Sequence, residues 1–221
     1  MTNQKTIKND ISLSGVGLHT GKQVNMTLKP AEVNSGFTFV RVDLEDRPVI
    51  KADIAYVQST NRGTNLVNKG VSVQTTEHVL AALVGCDIDN IIIELDNSEP
   101  PILDGSSKYF VEAIEKAGVV EQNAIREYYE VKEIISYKDE ETGSEIVIMP
   151  SDTYQVVTMV DYGTKVLGTQ NACLNNISEF KKEIADARTF SFLHELEMLL
   201  DNGLIKGGDL NNAIVYVDKE I

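Results

Sequence analysis

The sequence predicts an α+β protein whose strands and helices fall into two successive groups. Three observations indicate this class: strand-type alternation near the start, a change to helical spacing after Val73, and a second group of strand patterns beyond the polar segment 121–127. A period of two residues is typical of half-buried strands, whereas apolar spacing of three to four residues is typical of amphipathic helices. We therefore predict one α+β domain over residues 1–124 and another over residues 128–221.

Strand patterns dominate the beginning of the chain. Val24, Met26 and Leu28 alternate with polar residues until Pro30 ends the run, and segment 37–42 repeats the alternation. The alternation predicts strands with one face in a core and the other toward solvent.

Two short helices are predicted next, on either side of a buried strand. The first follows a threonine pair at 75–76, which offers an N-cap, and ends at Gly85. Segment 90–95 is apolar enough to be a central strand. The second helix is capped by Ser106 and ends at Gly118.

The polar segment 121–127 is the predicted linker, because strand patterns restart beyond it. The elements predicted there are strands at 129–131, 146–148, 156–160 and 213–217, a hairpin turn at 139–143, and helices at 177–184 and 192–200.

Composition narrows the functional classes. With 20 Lys and Arg against 34 Asp and Glu, the formal net charge of -14 argues against binding to nucleic acid or anionic membranes. Cys86 and Cys173 are too few for a disulfide framework and fit a reducing compartment. We expect a cytoplasmic protein, because the start lacks a signal-peptide pattern and no apolar run reaches the roughly 20 residues of a membrane span.

An adjacent carboxylate and imidazole, Glu77 and His78, stand at the start of the first predicted helix. Catalytic zinc takes three protein ligands and commonly has a carboxylate nearby to accept the proton of its water. The other histidines are His19 and His194, and no His-x-x-x-His pair exists. Considered alone, Glu77 and His78 are more simply read as a helix start with a structural histidine.

Four other motifs have plain structural interpretations when taken one at a time. The glycine-rich segment 15–21 predicts a turn or bulge, and segment 100–105 predicts a rigid connection with a turn. Segment 187–192 fits an ordinary helix cap with core phenylalanines, and His194 is predicted to be a surface residue.

Taken in order, these motifs resemble the zinc-dependent UDP-3-O-acyl-N-acetylglucosamine deacetylases of bacterial lipid A synthesis. The resemblance runs from about Thr6 to the last predicted strand. It rests on the blocks Gly15–Gly21, Thr75–His78 with Ala81–Leu83, Ile102–Ser106, Ala187–Phe190 and Gly207–Gly208.

The resemblance implies two stacked α+β sandwiches, with their sheets outside, their helices packed between them and the active site at their junction. It implies that Glu77 is the general base, that Thr189 donates its hydroxyl to the oxyanion and that His78 is a zinc ligand. Leu18 and His19 would lie near the metal, and Phe190 and Phe192 near the sugar or the acyl passage. The remaining substrate contacts are expected at Tyr162, beside uracil, and at Gly208 in the passage.

The sequence departs from the family pattern in places. Gly163 follows Tyr162 where relatives often carry a different turn, and Asp209 replaces the usual serine. The family's His-Lys-x-x-x-Asp block, with the other zinc ligands, would follow the strand that ends at Val217. The chain is therefore expected to be a fragment that binds zinc poorly and is inactive alone, and a noncatalytic binding module that kept the scaffold is the alternative.

Overall fold

The computed structural model describes residues 2–217 and confirms the α+β class. The elements of residues 2–125, called the first half, are β1 (Asn3–Ile7), β2 (Ile11–Val16), β3 (Gln23–Pro30), β4 (Phe37–Arg41), β5 (Val49–Lys51), a 3₁₀ turn (Ile54–Tyr56), β6 (Val57–Ser59), β7 (Asn65–Asn68), β8 (Val71–Val73), α1 (Glu77–Gly85), β9 (Ile91–Leu95), α2 (Lys108–Ala117) and β10 (Val119–Ile125). Those of residues 126–217, the second half, are β11 (Ile135–Lys138), β12 (Glu145–Ile148), β13 (Val156–Asp161), β14 (Thr169–Leu174), a 3₁₀ turn (Ile177–Glu179), α3 (Phe180–Glu183), β15 (Phe190–Phe192), α4 (Leu193–Asp201) and β16 (Ile214–Tyr216).

A five-stranded sheet in the order β2-β3-β9-β4-β5 forms the centre of the first half. β9 pairs antiparallel with β3 and parallel with β4, so the apolar segment is the central strand, as predicted. The alternation in β3 is also confirmed, because Val24, Met26 and Leu28 are fully buried. Their burial and that of Phe110 in α2 place the main core between this sheet and the helices.

The strands of the second half form separate pairs. β11 pairs with β12 and β13 with β14, and their side chains are exposed except for Leu174. β15 and β16 form a parallel pair that precedes and follows α4. The hairpin predicted at 139–143 is confirmed, since it joins β11 to β12.

The predicted linker was wrong over most of its length. Residues up to Ile125 belong to β10, which pairs antiparallel with β1. Two of the polar residues have partners within the fold: the Gln122 amide donates to Ala31 O at 2.8 Å, and Arg126 binds Asp87 and Asp89, each at 2.6 Å. These partners lie far away in the sequence, so the segment's polar composition by itself suggested a solvent-exposed linker. The strand predicted at 129–131 is also absent from the described structure.

The two halves meet at α1. The ring of Phe180, in α3, lies directly over Gly85, where an added Cβ would overlap ring atoms. Phe180 is 6 % exposed and joins the core of the first half. The helix α1 ends at Gly85, as predicted, and the absence of a side chain there leaves room for the Phe180 ring of the second half.

Candidate active site

Glu77 and His78 occupy the first turn of α1, as predicted. The threonine before them does not form the predicted cap hydrogen bonds to the helix. Thr76 is the N-cap residue, yet its side chain does not bond to the helix N–H groups. Its hydroxyl donates to Thr64 O at 3.1 Å, while Thr64 N donates to Glu77 Oε2 at 2.8 Å. Thr64 therefore holds the start of α1 from outside the helix and orients the Glu77 carboxylate.

The residue before this cap has an unusual backbone. Thr75 has φ +51° and is 4 % exposed. A β-branched residue in the left-handed region is an outlier, and such strain costs on the order of 1–3 kcal/mol. The Thr75 hydroxyl donates to Glu99 Oε1 at 2.7 Å, which identifies the contact that holds this conformation.

Glu99 is a fully buried carboxylate that sequence reasoning did not single out. It accepts from His19 N at 3.0 Å and from Thr20 N at 2.9 Å, in addition to Thr75. The available signal was a glutamate directly before the proline pair at 100–101, in a segment otherwise made of turn residues. The glycine-rich turn is wrapped around this carboxylate, because a Cβ on Gly17 would lie 2.5 Å from Glu99 Oε2.

The His19 imidazole joins three loops. It is 8 % exposed, its Nδ1 accepts from Ile205 N at 3.3 Å, and its Nε2 lies 3.0 Å from Arg62 O. A backbone N–H can only donate, so Nδ1 is the acceptor and Nε2 carries the proton to the Arg62 carbonyl. His19 thereby ties the glycine-rich turn to the β6–β7 loop and to the second half.

His78 is half-buried, and burial lowers the pKa of its imidazole, opposed by the nearby carboxylates of Glu77 and Asp104. A neutral imidazole is the form that ligates metals. The Ser107 hydroxyl donates to the His78 carbonyl at 2.9 Å, which fixes this turn against the start of α2. Within residues 2–217, however, no three His, Cys, Asp or Glu side chains are grouped closely enough to hold a metal ion.

The loop at 104–105 connects this helix start with the second half. Gly105 O accepts from Thr189 N at 2.7 Å, and Asp104 O accepts from Arg188 Nε at 2.7 Å. Gly105 has φ +82°, and a Cβ there would overlap Asn212 O, so the close approach requires glycine. Thr189 is therefore anchored beside the aspartate whose charge acts on His78.

A mostly apolar cavity of about 330 Å³ opens between the two halves. This volume lies at the lower end of the range for small-molecule sites, about 300–1,000 Å³. Of the residues predicted to bind substrate, Leu18, His19, Phe190 and Gly208 line it, together with Thr189. The complete lining is Leu18, His19, Arg62, Thr189, Phe190, Ser191, Leu196, Leu199, Leu200, Ile205, Gly208, Asp209, Leu210, Ala213 and Val215.

Tyr162 and Phe192 do not line the cavity but adjoin it through Phe190. The Phe190 ring packs edge-on against Tyr162 at 5.3 Å and against Phe192 at 5.9 Å between ring centroids. Tyr216 completes the cluster, 5.6 Å from Phe190. His194 is exposed, as predicted, and stacks on Phe192. The aromatic residues of the predicted substrate site thus form one packed group at the cavity wall.

The fold and the site together define an α+β protein with a carboxylate–imidazole pair at a helix start, and with a threonine that is anchored to the neighbouring 104–105 loop and lines an apolar cavity. The chain belongs to the UDP-3-O-acyl N-acetylglycosamine deacetylase family, whose model matches residues 4–221.

Relatives in three organisms support this assignment. The chain is 45% identical over 221 residues to the bifunctional enzyme LpxC/FabZ of Bacteroides thetaiotaomicron and 46% identical over 222 residues to that of Chlorobaculum tepidum; the alignments cover 100% of this chain and 48% of each relative. It is 43% identical over 225 residues to the UDP-3-O-acyl-N-acetylglucosamine deacetylase of Saccharophagus degradans, covering 99% of this chain and 72% of that protein. The chain thus spans about half the length of the bifunctional relatives. No helix within residues 2–217 is long and apolar enough to cross a membrane.

Proposed function

We propose that this chain provides the catalytic base, one metal ligand and the oxyanion donor of an enzyme that removes the N-acetyl group from UDP-3-O-acyl-N-acetylglucosamine in lipid A synthesis. The observation that carries the proposal is the hydrogen bond from Thr189 N to Gly105 O, because it anchors the threonine beside the loop whose aspartate acts on His78. Family membership and the names of the relatives support the substrate.

Glu77 is the proposed general base. One of its oxygens accepts from Thr64 N, which fixes the carboxylate at the helix start and leaves the other oxygen to accept a proton from the attacking water. The water oxygen bonds to the acetamide carbon, the carbon–nitrogen bond breaks, and the sugar nitrogen takes up a proton. Acetate and a free 2-amino group are the products.

Thr189 is the proposed oxyanion donor. Its backbone is held by bonds from Thr189 N to Gly105 O and from Ile214 N to Thr189 O. A hydroxyl held in place before the reaction stabilises the developing charge without reorganising in the transition state.

Zinc is the proposed cofactor, with His78 as one of its ligands. The neutral imidazole fits this role, but residues 2–217 do not hold a three-ligand set, so the described residues fit the metal only in part. A bound zinc ion would polarise the carbonyl and lower the pKa of its water toward about 7.

The cavity fits the acyl chain of the proposed substrate. Its lining is largely aliphatic, with Leu199 and Leu200 from α4 on one side and Leu18 from the glycine-rich turn on another. Burial of methylene groups against such a surface contributes about 0.8 kcal/mol each. Tyr162 and Phe192, on the aromatic cluster beside this wall, are proposed to contact the sugar nucleotide.

The test measures acetate release and zinc content in Glu77→Gln and His78→Ala, in the longest polypeptide that contains this chain. Glutamine keeps the hydrogen bond with Thr64 but cannot accept a proton, so we expect normal zinc content and a kcat lower by roughly 10²- to 10⁴-fold. His78→Ala should lose zinc and activity together. Glu94→Gln, a carboxylate bound by Lys29 and Arg47, is the matched control.

Two results would contradict the proposal. Near-normal turnover in Glu77→Gln would remove this residue from the mechanism, and full zinc retention in His78→Ala would remove the imidazole from the ligand set. Substrate binding with no acetate release by the unmodified protein would favour the noncatalytic binding module instead.

A further inference from the structure

We propose that Glu99 is a positioning residue that fixes the start of α1 and the glycine-rich turn against each other. Its kinetic consequences rest on the proposed function, whereas its structural consequences do not. Glu99 contacts neither the cavity nor the proposed reacting groups directly, so any effect on turnover would pass through the residues that it holds.

The first connection leads to the catalytic pair. Glu99 Oε1 accepts from the Thr75 hydroxyl at 2.7 Å, and Thr75 lies two residues before Glu77 with its backbone at φ +51°. A strained backbone persists only where its surroundings hold it. The buried carboxylate is the side-chain contact that does so, and the direction in which α1 begins therefore depends on it.

The second connection leads to the cavity. Glu99 accepts from His19 N at 3.0 Å and from Thr20 N at 2.9 Å. Leu18 and His19 line the cavity, and the His19 ring reaches both Arg62 O and Ile205 N. One carboxylate therefore holds both the wall of the cavity and the approach to Glu77.

The residues around Glu99 leave space for its carboxylate and supply hydrogen-bond donors to it. Glu99 is fully buried, and each of its oxygens accepts hydrogen bonds. Gly17 leaves room for it, because a Cβ there would lie 2.5 Å from Oε2. A buried charge is retained only when such donors compensate for its lost hydration. A tight turn could form without a buried carboxylate, so these contacts indicate that Glu99 has a further role.

The key variants are Glu99→Gln and Thr75→Val, with Thr75→Ser as the conservative variant and Glu94→Gln as the control for lost charge. Glutamine has nearly the shape of glutamate, but its NH₂ group would face donors instead of accepting from them. Valine has the shape of threonine without the hydroxyl, so it breaks the first connection alone. Serine keeps the hydroxyl that donates to Glu99.

Hydrogen exchange of the backbone amides tests the structural part without any activity. Glu99→Gln should speed exchange at His19 and Thr20 by about tenfold or more, and Thr75→Val should leave these two amides unchanged. Glu94→Gln should resemble the unmodified protein. Unchanged exchange at His19 and Thr20 in Glu99→Gln would overturn the inference, whether or not the chain is a deacetylase.

Acetate release tests the kinetic part. Thr75→Val should lower kcat by about tenfold with KM within about twofold, and Thr75→Ser should restore most of kcat. Glu99→Gln should lower kcat and also raise KM, because loss of the carboxylate charge and of one acceptor oxygen weakens both connections. In the double variant the kcat loss should be smaller than the product of the two single losses, since both substitutions weaken the same Glu99–Thr75 contact.

Losses of kcat that multiply in the double variant would overturn the coupling between the two residues. If Glu99→Gln does not fold, Thr75→Val still decides: an unchanged kcat there would contradict the inference, and a lower kcat restored by Thr75→Ser would support it. If the unmodified protein releases no acetate, the proposed function fails while the exchange measurement still tests Glu99.

Discussion

Arg62 and Glu195 form an ion pair between the two halves, with 2.7 Å from Nη2 to Oε1. Arg62 lies in the β6–β7 loop, whose Thr64 binds Glu77, and it lines the cavity. Glu195 lies in the first turn of α4. Glu195 also accepts from Phe192 N at 3.3 Å, so the same carboxylate holds the start of its helix. The pair links the loop beside the proposed base to the helix that forms the cavity wall.

The contribution of this pair should depend on pH. The hydrogen bond from Arg62 holds the pKa of Glu195 below its ordinary value, despite an opposing effect of burial. A lowered carboxylate pKa adds stability that is present above the unfolded value of about 4.3 and is lost as pH falls through the folded pKa. Urea unfolding should show a lower midpoint for Glu195→Gln than for the unmodified protein at pH 7, and the gap should close in strongly acidic buffer. A gap that widens on acidification would contradict this assignment.

Thr189→Val should reduce turnover with little change in substrate affinity. Valine keeps the side-chain volume and both backbone hydrogen bonds, but it cannot donate to an oxyanion. The expected loss is roughly 10²- to 10³-fold in kcat, as for other single oxyanion donors. The assay is acetate release at saturating substrate, with Thr189→Ser as the control that retains a hydroxyl. Equal rates for the valine and serine variants would exclude the hydroxyl from catalysis.

Gly85→Ala should weaken the contact between the halves. The new methyl group would overlap the ring of Phe180, and overpacking of this kind costs about 1–3 kcal/mol in free energy of unfolding. Urea denaturation of Gly85→Ala, Phe180→Leu and the double variant measures this loss in free energy of unfolding. The smaller leucine side chain should make the alanine substitution less harmful, so the double variant should be more stable than the two single losses predict. Additive losses would show that the loss in Gly85→Ala does not arise from overlap with the Phe180 ring.

The 221-residue chain should bind zinc weakly. Its described part offers His78 but no group of three ligands, and structural or catalytic zinc sites draw their affinity from three or four. Equilibrium dialysis after chelator treatment should find well under one tightly held zinc ion per chain, and His78→Ala should remove the remaining weak binding. Stoichiometric zinc that survives the chelator would refute this prediction.

Local patterns allowed much of the first half to be predicted. The alternation in β3 and the apolar run of β9 follow from burial at neighbouring positions, and the end of α2 follows from the backbone freedom of Gly118, which has φ +78°. The end of α1 at Gly85 was also predicted correctly. The strand in the polar segment was missed because its stability comes from β1, more than a hundred residues earlier in the chain. Pairing over such a distance leaves no local periodicity in the sequence.

The sequence pointed to candidate residues of the site but not to the hydrogen bonds that connect them. Glu77 and His78 stood out as residue types, and the combined motifs drew attention to Thr189. Glu99 did not stand out, because its importance depends on burial and on three donors from two distant segments. The strained backbone of Thr75 was equally hidden, since a threonine at a helix start predicts a simple cap.

The apolar cavity takes its wall from both halves of the chain, with Leu18 and Arg62 on one side and α4 and the residues after it on the other. A molecule that fills the cavity therefore binds only while these segments stay together. Ligand binding and the stability of the contact between the two halves are thus thermodynamically linked. At one hundred times its dissociation constant, such a ligand would add about 2.7 kcal/mol to the stability of the assembled form. The melting temperature should then rise with ligand concentration, which makes thermal shift a direct search method for molecules that this chain accommodates.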